Sequence, residues 1–444
     1  MFIVVAVLLI CSIVLNMILI KANKLSRKEN AFLKKELEDM SKTVRKTRTV
    51  SVPDPENPEL AVDTGSEEDE PGKSRHLLKR KVLALVDKYR KHEVDVEDLP
   101  AFREEMKRFF DRQPQEPYYK LLDLRNEKKD RRIVVIGDTH CDFRSLVGIM
   151  EKLALSEYDY FENAWFVFLG DYLDRGRILF ENLAVLMGFK QLLGDRCIFL
   201  KGNHELIEYN EDKGMLESRV YPAQSCPTLN DYCGEDKDFL RKFATFYSNL
   251  PYYVLLKTQQ GTDLLVHGGI PRDSYMDLFT ISHDTGEMIV SGGESLRDNI
   301  LNNMIWSDPR TDRFKMQGSA SRFEFGRDQF ADFVAKNKID RVFRSHEPVR
   351  NGVEAFYDGR LFTVFSNGGV GNDDTNYGEV LNPVFGIIAS DGSVRFESVF
   401  FKKISIRRGS SVFQTLMYRD GSAADIEMRL DDLHLNGEFY VNNQ

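Results

Sequence analysis

Three short stretches carry side chains able to hold metal ions or move protons. Gly137-Asp138-Thr139-His140 follows the apolar run Ile133-Val-Val-Ile136, Gly170-Asp171 follows Trp165-Phe-Val-Phe-Leu169, and Gly202-Asn203-His204-Glu205 follows Cys197-Ile-Phe-Leu200. Two later histidines, His267 and His346, also stand just past apolar runs. Together they form a mixed oxygen and imidazole set, which suits borderline divalent ions such as Mn²⁺, Fe²⁺ or Zn²⁺ and not Ca²⁺, an oxygen-only ion. Six such ligands are too many for one tetrahedral ion and fit two ions sharing a carboxylate. Two ions about 3.5–4 Å apart clamp a phosphoryl group and activate water between them. The implied chemistry is phosphate-ester hydrolysis.

The apolar runs have the length and β-branched content of buried strands, and stretches of helical spacing lie between them. Successive strand–helix–strand units with right-handed crossovers set Asp138, His140, Asp171, Asn203 and His204 at one carboxyl edge of a parallel sheet, where open α/β sheets bind ligands. The runs at residues 263–266, 342–345 and 361–365 add further strands, and residues 384–388 and 394–400 read as closing strands. Residues 206–237 are too long for a simple connection and read as a surface insertion near the site mouth.

The 444-residue chain carries a formal charge of −9, which argues against nucleic acid as its main partner. Its five cysteines show no zinc-finger spacing and no paired framework, which favours a reducing compartment. Residues 1–20 contain no charged side chain, enough for a membrane-crossing helix, and Lys21, Lys24, Arg27 and Lys28 follow at once. The competing reading is a cleaved signal peptide, but no basic segment precedes the run and no small-residue cleavage site follows it. The flanking charges place the remainder of the chain in the cytoplasm. Residues 21–72 then read as a juxtamembrane helix and a disordered acidic tether. Residues 73–130 read as a helical extension. Its first helix sets Leu78, Val82, Leu85, Val86 and Tyr89 on one face and a basic surface on the other, for acidic lipid or a partner, or for packing on the catalytic domain. Its second, over 98–112, aligns Leu99, Phe102, Met106, Phe109 and Phe110. Residues 131–403 hold the catalytic motifs, and 404–444 form a tail without an assignable motif.

Gly137-Asp-x-His140, Gly170-Asp-Tyr-Leu-Asp-Arg-Gly176, Gly202-Asn-His-Glu205 and His267-Gly-Gly269 resemble the signature motifs of calcineurin-like metallophosphoesterases. Trp306-Ser-Asp-Pro309, Phe323-Glu-Phe-Gly326, Arg344-Ser-His-Glu347 and Leu361-Phe-Thr-Val-Phe-Ser366 are similar, more narrowly, to the phosphoprotein phosphatase (PPP) family of serine/threonine phosphatases. The resemblance implies an α/β sandwich with two metals at the strand carboxyl ends. Asp138 and His140 would hold the first metal, Asp171 would bridge, and Asn203, His267 and His346 would hold the second. His204, oriented by Asp174, would protonate the leaving alkoxide, and Arg175 would clamp the phosphate while a metal-bridging hydroxide attacks in line. Phosphoproteins are the implied substrates. The alternatives are a dinucleoside polyphosphate or RNA-cap hydrolase, the one case in which nucleic acid would be a partner, and a catalytically weak membrane scaffold.

Three positions depart from the family pattern. Cys141 stands where a glycine is usual after the first histidine, offering a bulkier wall or an oxidisable thiol. The family's second phosphate-binding arginine is shifted to Arg322 or absent. The loop that ends in tyrosine in the family reads Ser366-Asn-Gly-Gly-Val370 here, with no tyrosine.

Overall fold

The computed structural model describes residues 76–91, 94–127, 130–310, 322–369, 372–399, 401–408, 411–418 and 423–426. Among these, two mixed sheets pack face to face. The first runs in the order Val394–Ser398, Val384–Ala389, Arg132–Ile136, Ala164–Phe168, Cys197–Phe199, and its last three strands are parallel. The second runs Tyr119–Asp123, Tyr253–Lys257, Thr262–Val266, Arg341–Arg344, Leu361–Val364, Val353–Phe356. The α/β sandwich anticipated from the motifs is the architecture found.

Alternation along each strand explains why the strands read as unbroken apolar runs. Ile133, Val135, Val167 and Leu169 point into the space between the sheets, where they meet Val254, Leu256, Leu265, Phe343 and Phe362. Val134, Ile136, Phe166 and Phe168 point the other way, beneath helices Phe143–Ala154, Leu179–Leu193 and Lys237–Ser248. The outer face of the second sheet, with Tyr253, Leu255, Leu264 and Val266, is covered by Gly293–Met304 and Arg327–Lys336. Strands buried on both faces have no polar side to show.

The helical stretch ahead of residue 131 belongs to this body. Helix Leu77–Lys91 buries Val82, Val86 and Tyr89 in the core under the first sheet, so its apolar face is occupied by the catalytic layers. Helix Leu99–Asp111, with Pro100 in its first turn, buries the five residues expected of it. Its Phe102 ring meets Phe180 edge-on at 5.4 Å. Residues 119–123, expected to lie in a helical extension, instead form a parallel strand with register Leu121 to Leu255, adding an edge to the second sheet. Two adjacent leucines between charged residues gave no period, and pairing with a buried partner strand decided the conformation. The tail from residue 404 contributes to an antiparallel sheet of Phe401–Arg408, Ser411–Tyr418 and Ala423–Ile426. Among the described residues no helix is long and apolar enough to cross a membrane, and the anchor and tether expected over 1–72 lie outside them.

If the N-terminal helices are integral to the catalytic core, Phe102→Ala should destabilise the whole domain by about 3 kcal/mol, the range for an emptied aromatic site. Urea unfolding followed by intrinsic fluorescence reads this as a lowered midpoint in a single transition. An unchanged midpoint, or a separate early transition, would mean that the helices are an accessory layer.

Candidate active site

The site lies at the seam between the two sheets, where the loops after five strands meet. Asp138 pairs with Phe365 of the opposite sheet in an isolated parallel bridge. Ser345 Oγ accepts from Asp138 N at 2.8 Å and donates to Val364 O at 2.6 Å, while Ser366 Oγ accepts from Gly137 N at 2.8 Å. Strand ends from both sheets are thus tied through two serine hydroxyls. His140, Cys141, Asp171, Asp174, Arg175 and His346 all hold left-handed φ, between 42° and 72°. Such backbone is disfavoured for residues other than glycine and is held only where surrounding contacts fix it. A Cβ on Gly170 (φ 115°) would sit 2.5 Å from Gly202 N, so glycine is what lets the second and third loops touch.

Asp171 occupies the centre. Its Oδ2 lies 3.3 Å from His140 Nε2 and its Oδ1 lies 3.3 Å from His267 Nε2, while Oδ1 also accepts from His204 N at 3.0 Å. His140 Nε2 is 3.5 Å from Asp138 Oδ2, and His267 Nε2 is 3.0 Å from Asn203 Oδ1 and 3.1 Å from His346 Nδ1. His346 N in turn donates to Asp138 Oδ1 at 3.1 Å. All six residues expected as metal ligands are therefore brought together, and Asp171 belongs to two separate groups of possible ligands, one with His140 and His204 and one with His267 and His346.

The donor set fits divalent cations. His140 Nδ1 donates to Leu173 O at 2.7 Å and His267 Nδ1 to Leu169 O at 3.1 Å, which leaves each Nε2 facing carboxylate and amide oxygens. Fixing one ring nitrogen on a carbonyl is how proteins orient metal-binding imidazoles. Asp138 Oδ2 and His346 Nε2 are buried with no hydrogen-bond partner. Burial, helped by the charges of His267 and Arg344 and opposed by Asp308, pushes the His346 imidazole down to about 3, which favours the neutral ring a metal ligand would need. Burial alone would raise the Asp171 carboxyl, but the facing His267, His204 and His140 hold it well below the usual range. Acceptors crowded in a dry site need positive charge among them.

Beside this cluster His204 Nδ1 contacts Asp174 Oδ2 at 2.6 Å, both side chains nearly fully buried. Burial would raise Asp174, but the His204 contact and the amides of Ser225 and Gln224 hold its carboxyl low. Arg175 occupies the next position, its N on Gln224 Oε1 at 3.1 Å, its O accepting from Asn376 at 2.7 Å, and its Nε buried without a partner.

Arg322 binds Asp308 through Nε and lies 3.6 Å from Glu347 through Nη2, so part of its guanidinium is engaged by carboxylates. Tyr377, which sequence reasoning did not single out, stacks its ring on His140 at 5.5 Å and meets Phe365 edge-on at 5.1 Å. Cys141 is buried, and burial with the nearby Asp174 charge pushes its thiol up to about 12, which disfavours the reactive thiolate.

Sequence reasoning gave no role to Glu205. Its carboxylate accepts from Asp171 N at 2.7 Å, Tyr172 N at 2.9 Å and Gly202 N at 3.0 Å, fixing the turn that carries the shared carboxylate. Arg344, fully buried, joins Ser307 O, Asp308 Oδ1 and Gly268 O behind His267 and His346.

The family described as calcineurin-like phosphoesterase matches residues 131–350. A probable serine/threonine-protein phosphatase of Encephalitozoon cuniculi is 28% identical over 240 residues, 53% of this chain and 46% of that protein. Serine/threonine-protein phosphatase 5 of Homo sapiens is 30% identical over 243 residues, 54% of this chain and 43% of that protein. The matched stretch thus spans a little under half the length of these curated relatives. A protein serine/threonine phosphatase structure from Saccharomyces cerevisiae, with similarity to human phosphatase PP5, aligns at 21% identity with a TM-score of 0.48, over 71% of this chain and 92% of that one.

Because Asp171 serves both ligand groups, Asp171→Asn should reduce bound manganese, by elemental analysis after Mn²⁺ loading and desalting, from about two ions per chain to less than one. Undiminished metal would remove Asp171 from the shared position.

Proposed function

Since the chain carries a calcineurin-like phosphoesterase domain, we propose that it is a metal-dependent phosphatase that hydrolyses phosphoserine and phosphothreonine in proteins. The observation that carries this reading is the buried His204–Asp174 pair set against the convergence of Asp138, His140, Asp171, Asn203, His267 and His346. Mn²⁺, Fe²⁺ or Zn²⁺ ions held by Asp138, His140, Asp171, Asn203, His267 and His346 would neutralise phosphoryl charge and supply a nucleophilic water at neutral pH.

The chain's own residues do the rest. Asp174 accepts from His204 Nδ1, so the second ring nitrogen carries the transferable proton and faces the leaving oxygen. An alkoxide leaving from serine or threonine is strongly basic, and a positioned acid is the remedy. Arg175, next along the same turn, supplies donors to phosphate oxygens, and its unpartnered buried Nε is available for that purpose. Tyr377 closes one wall over His140 and keeps water away from that ring. Arg322 is tied to Asp308 through Nε, and Arg175 is the arginine that sits on the same turn as the acid pair. The intact acid pair supports an active enzyme over a scaffold.

We propose in addition that residues 1–20 anchor the chain in a membrane with the catalytic domain facing the cytoplasm. The uncharged run and the lysines and arginine behind it support this reading. Alkaline carbonate extraction of cell membranes should leave the full chain in the pellet and release a chain lacking those residues. Equal release of both would remove the anchor.

His204→Ala should lower kcat on a phosphoserine peptide about 10²–10⁴-fold, while an aryl phosphate with a good leaving group loses far less. Equal losses on the two esters, measured at saturating Mn²⁺, would show that His204 is not the acid.

A further inference from the structure

The polar segment 206–237, which motif reading left without a role, folds against the acid pair. It begins with a hairpin, Ile207–Asn210 paired with Met215–Ser218, and continues into helix Ser225–Cys233. Asn230 clips the two together, accepting from Leu216 N at 2.8 Å and donating to Leu216 O at 2.9 Å. Cys226, Leu229 and Cys233 seat the helix in the core beneath the first sheet, so its first turn cannot drift.

That first turn is built around Asp174. Asp174 Oδ1 accepts from Gln224 N at 2.8 Å and from Ser225 N at 2.7 Å, and Ser225 Oγ accepts from Asp174 N at 2.8 Å. The Gln224 side chain takes Arg175 N at 3.1 Å. One carboxylate oxygen is therefore saturated by the insertion, and the other is left for His204. The backbone at Asp174 and Arg175 has φ of 66° at both positions, so it needs outside contacts to stay there. Ser225 is buried and spends its hydroxyl on that turn.

We infer that Ser225 is a positioning residue for general acid catalysis: by holding Asp174 N while its own amide holds Asp174 Oδ1, it fixes the carboxylate that aims His204. The inference rests on the phosphatase reading. It makes the insertion part of the catalytic apparatus for substrates with poor leaving groups. A hydrogen bond lost from the Asp174 turn lets the carboxylate swing, and the imidazole then points its proton poorly. Only an ester that needs that proton registers the change.

The test compares kcat on a phosphoserine peptide with kcat on an aryl phosphate of low leaving-group pKa, using the Mn²⁺-loaded full chain. Ser225→Ala should lower the peptide-to-aryl ratio of kcat roughly tenfold, a fraction of the worth of the acid itself, with the peptide KM little changed. Because the ratio is taken on one preparation, a partly unfolded sample lowers both rates and leaves it untouched. Ser225→Thr, which keeps the hydroxyl, should restore the ratio. In a His204→Ala background Ser225→Ala should have no further effect on the ratio, since the residue would act only through that imidazole. An unchanged ratio in Ser225→Ala, or a full additional loss in the His204→Ala background, overturns the inference while leaving the phosphatase reading in place. Wild-type protein with no Mn²⁺-dependent turnover of either ester overturns both.

Discussion

The structure depends on a buried carboxylate that cannot be satisfied by hydrogen bonds alone. Asp171 faces His140 on one oxygen and His267 on the other, and the His204 amide donates to it. A charge in so dry a setting costs several kcal/mol unless opposite charge lies beside it. Around it Asp138 Oδ2 and His346 Nε2 are likewise buried without partners. Among the described residues acceptors outnumber donors here, and that imbalance makes the seam a candidate cation site. Glu205 differs in that three backbone amides donate to it, although burial and the neighbouring Asp171 charge still push its carboxyl up to about 8.

Bringing these groups together needs strand ends from two sheets to meet, and the loops that achieve it are held in left-handed backbone at six site residues. The surrounding contacts that hold them come from far along the chain: Ser345 and Ser366 from late strands, Arg344 behind the histidines, Asn376 on the Arg175 carbonyl, and Ser225 on Asp174. Each loop is strained alone and fixed in company. The rigid layers on either side, with aromatic and branched side chains on both faces of every central strand, give the loops something to be fixed to.

Much of the architecture was legible because chemistry and periodicity coincide at the same places. Apolar runs ending in Gly-Asp or in histidine announced both the strands and the candidate ligands, and the six residues expected to bind metal lie together. What stayed illegible depends on distance in sequence. Strand Tyr119–Asp123 has no pattern of its own and exists because Tyr253–Lys257 offers an edge. The stacking of Tyr377 on His140 likewise joins residues far apart in the chain. The setting of Arg322 was unreadable because its partners Asp308 and Glu347 come from other loops. Cys141 could be named as a departure, but its burial and its contact with Tyr172 O, 3.4 Å away, come from the folded loops.

The central claim is that one carboxylate is shared by two ions, and anomalous diffraction from Mn²⁺-loaded crystals of the chain tests it most directly. The account predicts two anomalous peaks about 3.5–4 Å apart, one on either side of Asp171, with Asp138 and His140 on the first and Asn203, His267 and His346 on the second. A single peak, or two peaks that do not share Asp171, would contradict it.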